Sequence, residues 1–157
     1  MRKIKPLLLT RLTAHTHQPI DSVFTFIANH ENYKRWYPGV VSVTSVDDMP
    51  HGVVGKTYCE TLQMPGGRLQ NIQIVTIAST PPHRFVTQGD FASLLPQMTF
   101  DLSSSEGGGT DVMWMFHSRH TSPVRRLVAR LIFRPILRRQ ATHAMATLTR
   151  LLEQIAA

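Results

Sequence analysis

Apolar and polar residues alternate along the first part of the chain and then change to a helical spacing. From Leu7 to His17 the alternation has a period of two, which is typical of a strand with one buried face. Pro19 then allows a helix to begin, because a residue in the first helical turn needs no backbone N–H partner. Apolar residues at helical spacing predict a short amphipathic helix from Ile20 to Asn29. A second short helix is predicted from His30 to Trp36, before a Pro-Gly pair.

The middle of the chain carries the signals of strands joined by short connections. A Pro-Gly-Gly run and a Gly-Gly-Gly run separate apolar stretches, and glycine suits hairpin turns because it accepts positive φ. The predicted strands are Val41–Val46, Gly55–Met64, Arg68–Ser79, His83–Gln88, Met98–Ser103 and Thr110–His120. Together with the first strand they form a predicted set of seven, and such short connections join antiparallel neighbours.

The last predicted element is a long helix with a proline inside it. Ser122 is a favoured N-cap and Pro123 a favoured first residue, and the helix is predicted to reach about Ile155. Pro135 removes one backbone hydrogen bond and predicts a kink. The apolar stripes on its two sides are out of phase on a straight helix, so we expect the kink to re-aim the buried face. The stripes are Val124, Val128, Leu131, Ile132 and Pro135, then Ala141, Ala144, Met145, Leu148, Leu152 and Ile155.

This order of elements predicts an α+β fold: one strand, two short helices, six strands and one long helix. A long helix with a bulky apolar stripe needs an apolar surface, and a curved antiparallel sheet wrapped around it can supply one. We expect the two short helices to close one end of the sheet, and a cavity to remain between the sheet and the C-terminal helix. The chain of 157 residues fits one domain, 1–157, with one core.

Several stretches resemble those of a known family. They are Gln18–Ile27, Asn32–Val40, Gly55–Thr57, Pro81–Arg84 and Gly109–Val112. They are similar to the polyketide cyclase/dehydrase and lipid-transport family of the START-like (SRPBCC), helix-grip superfamily. The resemblance implies the helix-grip fold over almost the whole chain. It leaves the activity open, because this superfamily includes lipid carriers, hormone receptors, aromatase/cyclases and a ribosome-binding toxin.

The register that this resemblance implies places aromatic and methionine side chains on the inner face of the sheet. Such groups offer large or adaptable contact area to an apolar ligand, and they serve equally well to fill a core. Glu60 is the polar candidate, because a carboxylate in an apolar pocket can act as acid, base or hydrogen-bond acceptor. The expected ligand-binding residues are Tyr33, Trp36, Tyr58, Glu60, Met98, Phe100, Val112, Trp114, Phe116, Leu131 and Met145.

The chain is basic, and arginines concentrate in the last helix. Lysine and arginine number 17 against 10 aspartate and glutamate, a net charge of +7, which favours anionic partners. Three interpretations stay open: a solvated face, a surface for a membrane or RNA, or an inward guanidinium that binds a ligand headgroup. No DNA partner is expected. The residues are Arg126, Arg130, Arg134 and Arg138, within a series that includes Arg125 and Arg139.

Cysteine and apolar-run content exclude several protein classes. One cysteine, Cys59, excludes an internal disulfide and a multi-cysteine metal site. The apolar start of the chain stops at Thr10, which is too short for a secretion signal. No run approaches the length needed to cross a bilayer. We therefore expect a cytoplasmic location.

Histidines give no clear metal or catalytic site. His15 with His17, and His117 with His120, lack a recognisable third ligand, so neither a metal nor another cofactor is expected. His117 or His143 as a catalytic base has no neighbouring nucleophile in the sequence.

These observations favour a carrier or sensor of a hydrophobic small molecule, such as a lipid, a quinone or a polyketide-like compound. The alternative is a cyclase, aromatase or dehydratase type of enzyme, in which Glu60 would act as acid or base. A third possibility is a protein that binds a ribosome or membrane surface through the arginines of the last helix.

Overall fold

Seven strands form one antiparallel sheet in the computed structural model, which describes residues 2–155. The strands are β1 Leu7–Thr16, β2 Val40–Ser45, β3 Thr57–Gln63, β4 Leu69–Thr80, β5 Arg84–Gly89, β6 Pro96–Ser104 and β7 Thr110–Ser118. Their spatial order is β1-β7-β6-β5-β4-β3-β2, so only β1 pairs with a strand distant in sequence. The predicted seven-stranded α+β fold is confirmed.

Irregular register bends the sheet. Shifts interrupt the pairing of β1 with β7 near Leu8, of β2 with β3 near Val40, and of β4 with β5 near Thr76. An extra residue at such a point bends the strand and increases its twist. The concave face therefore collects the alternating buried side chains of the central strands, including Tyr58, Phe85 and Trp114.

Two short helices follow β1 and cover one end of the concave face. Helix α1 spans Ile20–Ala28, and a 3₁₀ helix spans His30–Arg35. Asn29 separates them: its side chain accepts a hydrogen bond from Glu31 N, and its own N–H donates to Thr25 O. This change of direction places the 3₁₀ helix against the sheet, with Tyr33 buried.

The C-terminal helix is divided into three parts. Helix α2 spans Pro123–Val128, a π turn spans Ala129–Phe133, and helix α3 spans Arg134–Gln154. Arg134 N–H bonds to Ala129 O, five residues back, directly before Pro135. The irregularity predicted at Pro135 thus takes the form of a widened turn ahead of the proline, which has no N–H to continue the regular pattern.

Helix α3 provides most of the packing between this C-terminal helix and the sheet. The buried residues of α3 are Leu137, Ala141, Ala144, Met145, Leu148 and Leu152, whereas α2 has none and the π turn has only Ala129. The expectation that the first apolar stripe is a burying face is wrong for Val124, Val128, Leu131 and Ile132, which are all exposed. The π turn directs Ala129 towards the sheet and the stripe outwards. Within residues 2–155, no helix is long and apolar enough to cross a membrane.

Candidate functional site

A buried acid–base pair joins the 3₁₀ helix to β3. His30 Nε2 and Glu60 Oε2 lie 2.8 Å apart, and their side chains are only 3% and 5% exposed. At this separation the two atoms share a hydrogen bond, so one proton lies between them. Burying either group alone would be costly, and each satisfies the other.

Local structure explains why these two residues meet. Glu60 points inward because it lies two residues after Tyr58 on β3, and a strand turns every second side chain to the same face. His30 is the first residue of the 3₁₀ helix, directly after the turn at Asn29. The inward direction of Glu60, left open by the sequence, is thus established.

A small cavity lies against this pair. Its volume is about 30 Å³, and it is lined by His30, Tyr33, Glu60, Ile72, Ile74, Thr87, Gly89, Pro96, Met98 and Phe116. This volume is close to the share of one water molecule in the liquid. Most of the wall is apolar, and the His30–Glu60 pair supplies its polar end.

Gly89 helps to keep this space open. A Cβ atom at this position would lie 2.9 Å from Ile74 Cδ1 and 3.1 Å from Pro96 Cγ. Both contacts are closer than ordinary van der Waals separations. A side chain at position 89 would therefore displace the neighbouring wall residues.

Stacked tyrosines extend the site towards α3. The Tyr33 ring stacks on His30 at 4.8 Å between centroids and on Tyr37 at 4.9 Å. Burial, together with Tyr37 and Glu60, raises the pKa of Tyr33 well above its ordinary value. Burial also raises the pKa of Tyr37, whose hydroxyl donates to Gln140 Oε1 at 3.0 Å. Both phenols therefore stay protonated and can donate hydrogen bonds at neutral pH.

Tyr58 connects the same region to the surface on another side. Its hydroxyl lies 2.7 Å from His51 Nδ1, and Lys56 Nζ lies 5.3 Å from the centre of its ring. Burial raises the pKa of Tyr58 to about 12. Tyr58 is not part of the cavity wall, but its ring centre lies 5.4 Å from that of His30, so Tyr58 packs behind the pair.

The structure separates the predicted ligand-binding residues into three groups. Tyr33, Glu60, Met98 and Phe116 line the cavity. Trp36, Tyr58, Phe100, Val112, Trp114 and Met145 are buried in the core outside its wall. Leu131 lies on the exposed side of the π turn, away from the cavity. Among residues 2–155, none from the C-terminal helix lines this wall, so this cavity differs in position from the predicted one.

Six wall residues lie outside the set that the sequence predicts: His30, Ile72, Ile74, Thr87, Gly89 and Pro96. Strand alternation in β4 could have identified the two isoleucines, which lie two residues apart on the same face. His30 carries no such signal, because its direction depends on the turn at Asn29.

The arginines of the last helix do not point into the cavity. Arg126 Nη1 donates to Lys5 O at 3.0 Å, and Arg134 Nη2 donates to Leu8 O at 2.7 Å. Arg130 and Arg138 are exposed. No group of three potential metal ligands from His, Cys, Asp and Glu comes together in the described part of the chain.

The chain matches one protein family over most of its length. The family model for polyketide cyclase / dehydrase and lipid transport matches residues 10–153. The chain belongs to this family. The match includes β1 from Thr10 onward and all of β2 to β7, and it extends almost to the end of α3. The family resemblance seen in the sequence is therefore confirmed. No curated protein matches the sequence significantly.

Solved structures confirm the helix-grip fold. The di-domain ARO/CYC StfQ from the steffimycin biosynthetic pathway aligns with a TM-score of 0.71 at 12% identity, over 96% of this chain and 52% of that chain. Protein NE0264 from Nitrosomonas europaea aligns with a TM-score of 0.66 at 16% identity, over 92% of this chain and 94% of that chain. A protein from Arthrobacter aurescens aligns with a TM-score of 0.67 at 13% identity, over 93% of this chain and 86% of that chain. The chain thus spans about half the length of StfQ.

Proposed function

We propose that this protein binds a hydrophobic, polyketide-like small molecule that carries a hydroxyl or carbonyl group. The ligand lies on the concave face of the sheet, and the His30–Glu60 pair holds its polar group. The observation that carries this proposal is the placement of a buried acid–base pair in the wall of an otherwise largely apolar cavity. Ligand pockets combine apolar walls with a few placed polar groups, which fix orientation.

Stability alone is a poor reason to bury such a pair. Replacing a buried ion pair with apolar residues of similar volume is often neutral or stabilising. Several wall residues beside the pair are already apolar, so a purely apolar site would be compatible with the fold. A hydrogen-bonding role towards a ligand gives the pair a function that the fold does not require.

Binding requires the cavity to enlarge, because about 30 Å³ holds only a water-sized guest. Gly89 and Pro96, in the cavity wall, flank the loop that contains Phe91. The Phe91 ring contacts the Phe133 ring of the π turn at 6.4 Å between centroids. Since α2 and the π turn bury only Ala129, moving this segment exposes little core. We place the opening of the site at the Phe91–Phe133 contact.

Quenching of tryptophan fluorescence tests ligand uptake. The chain has two tryptophans, and the Trp36 ring lies 4.8 Å from that of the wall residue Tyr33. A hydroxylated anthraquinone should quench this fluorescence saturably. Glu60→Gln should weaken binding about 10-fold to 100-fold, as expected for loss of a hydrogen bond to a charged group. Anthracene, which has no polar group, should bind both proteins equally.

Glu31→Gln is the matched control for this experiment. Glu31 is a partly buried glutamate one residue after His30, but its carboxylate accepts hydrogen bonds from Ser45 outside the cavity. This variant should bind the anthraquinone as the parent does. If neither aromatic probe binds the parent, and native mass spectrometry finds no small molecule copurified with it, the proposal is wrong.

Acid–base catalysis by the same pair is the second candidate. The shared proton between His30 Nε2 and Glu60 Oε2 favours it, because catalysis of this type needs a positioned donor and acceptor. The Glu60 carboxylate would take a proton from a carbon between two carbonyls of a polyketone chain. That carbon would attack a second carbonyl, and protonated His30 would deliver a proton to its oxygen.

Turnover separates a carrier from an enzyme. An enzyme should convert a polyketone probe to a cyclic product, and Glu60→Gln should lower kcat by about 100-fold or more. Glu31→Gln again serves as the control. A parent protein that binds the probe and returns it unchanged removes the catalytic candidate and leaves the binding proposal intact.

A further inference from the structure

An apolar ridge runs along the outer side of α2, the π turn and the start of α3. Its six members are exposed by between 39% and 70%: Val124, Leu127, Val128, Leu131, Ile132 and Ile136. Contiguous apolar patches of this kind are unusual on soluble monomers and mark interaction sites. The ridge therefore requires an explanation outside the core.

The π turn keeps the ridge facing outward. In an α-helix, a row formed by every fourth residue drifts around the axis by about 40° per step. A π turn is wider and reduces this drift. As a result, Ala129 and Leu137 both remain buried although they lie eight positions apart in the sequence. Val124, Val128, Ile132 and Ile136 all stay exposed on the other side.

Arginines recur at the same four-residue spacing: Arg126, Arg130, Arg134 and Arg138. Arg126 and Arg134 donate to backbone carbonyls of Lys5 and Leu8, which fastens this side of the helix to the N-terminal segment and β1. Arg130 and Arg138 are exposed, and so are Arg125 and Arg139. The ridge is thus bordered by exposed guanidinium groups.

No carboxylate of the same stretch balances this charge. The sequence has no aspartate or glutamate between Asp111 and Glu153. The N-terminal segment beside α2 adds exposed Arg2, Lys3 and Lys5, and Ile4 is 57% exposed. The face therefore combines aliphatic side chains with a local excess of positive charge.

We infer that this face docks on an anionic lipid membrane. The ridge enters the boundary between headgroups and acyl chains, and the arginines bind lipid phosphates. Amphipathic helices with a basic polar face bind membranes in this way, through buried apolar area plus attraction to anionic lipid. This inference does not depend on the ligand-binding proposal.

Two other occupants fit the face less well. In a two-fold dimer the same patch would meet itself, which would bring the arginines of two copies together without intervening carboxylates. RNA would use the arginines but gain little from an aliphatic ridge, since bases stack on aromatic rings. The one aromatic residue of α2 and the π turn, Phe133, is already packed against Phe91.

Vesicle flotation of the full chain tests the inference. The protein should float with phosphatidylcholine vesicles that contain phosphatidylglycerol, and much less with pure phosphatidylcholine. The double variant Arg130→Gln, Arg138→Gln should weaken binding about 25-fold, because each arginine near the membrane surface contributes about fivefold. Leu131→Gln with Ile132→Gln should weaken it at least about tenfold.

Matched controls lie on another part of the molecule. Leu69 and Val54 are 58% and 53% exposed, and the double variant Leu69→Gln with Val54→Gln should bind as the parent does. Arg68→Gln, at an exposed hairpin, controls for charge. Circular dichroism should show that every variant is folded.

Three results would overturn the inference. The first is absence of the parent from the floating fraction with anionic vesicles. The second is a concentration-dependent dimer, seen without lipid, that the Leu131→Gln, Ile132→Gln variant abolishes. The third is tighter binding to RNA than to vesicles that responds to the arginine variants and not to the ridge variants.

Discussion

Breaking the His30–Glu60 pair one side at a time should destabilise the protein far more than removing both partners. Glu60→Met leaves His30 Nε2 without its partner in a site where the histidine side chain is 3% exposed. An unsatisfied buried polar group costs about 1–3 kcal/mol, and an unpaired buried charge about 3–5 kcal/mol. We therefore expect a loss of about 3 kcal/mol, which lowers Tm by about 6–12 °C in a domain of this size.

The double variant His30→Phe, Glu60→Met should recover most of this loss. Phenylalanine preserves the ring that stacks on Tyr33, and the cavity of about 30 Å³ beside it can take up the extra volume. No polar group of the pair then remains unsatisfied. We expect the double variant to lie within about 1 kcal/mol of the parent, so the coupling between the two positions exceeds about 2 kcal/mol.

Urea unfolding of the parent, both single variants and the double variant measures this coupling. The exposed pair Arg84–Asp101, with an N–O distance of 2.9 Å, provides the control cycle, and its coupling should stay below about 1 kcal/mol. Single variants within about 0.5 kcal/mol of the parent, or losses that simply add in the double variant, would refute the reasoning. If the double variant is stable but no longer binds the hydroxylated anthraquinone, the pair serves function rather than stability.

Three further predictions follow from groups around the site. Burial raises the pKa values of all three tyrosines of the chain, so absorbance at 295 nm should show no tyrosinate near pH 10. The free energy of unfolding should fall as the pH rises further, because the unfolded chain loses these protons first. As the control, the tyrosines of the protein unfolded in urea should titrate at their ordinary pKa. The hydrogen bond from Lys56 lowers the pKa of Asp47 in the folded protein. The contribution of Asp47 to the free energy of unfolding is therefore complete above about pH 4 and is lost as the pH falls through the lower folded-state pKa. In acid unfolding, the stability of Asp47→Asn should decline less steeply with falling pH than that of the parent. Gly89→Ala should lower the free energy of unfolding in urea by about 1–3 kcal/mol and weaken anthraquinone binding, because the new Cβ crowds Ile74. Unchanged stability and binding would show that the wall residues move aside without cost.

The local pattern of the chain was sufficient to predict the order of its elements. Strand alternation and glycine-rich turns predict all seven strands, with ends that differ by a few residues from those observed, as for β6 at Pro96–Ser104. Such signals depend on side-chain period and turn geometry, which act between residues close in sequence. For the same reason the last helix and the irregularity near Pro135 could be predicted, but not which half of that helix would be buried.

Tertiary structure alone decided the site and the two faces of the last helix. His30 and Glu60 lie thirty positions apart, and they meet because the turn at Asn29 and the parity of β3 direct both side chains to the same space. The position of the cavity depends on the close approach of Gly89 to Ile74 and Pro96. Leu131 is of a residue type that is usually buried, yet the π turn directs it outward while Ala129 faces the sheet. A one-dimensional pattern shows which side chains are apolar, whereas the surface they meet is set by the packing of distant elements.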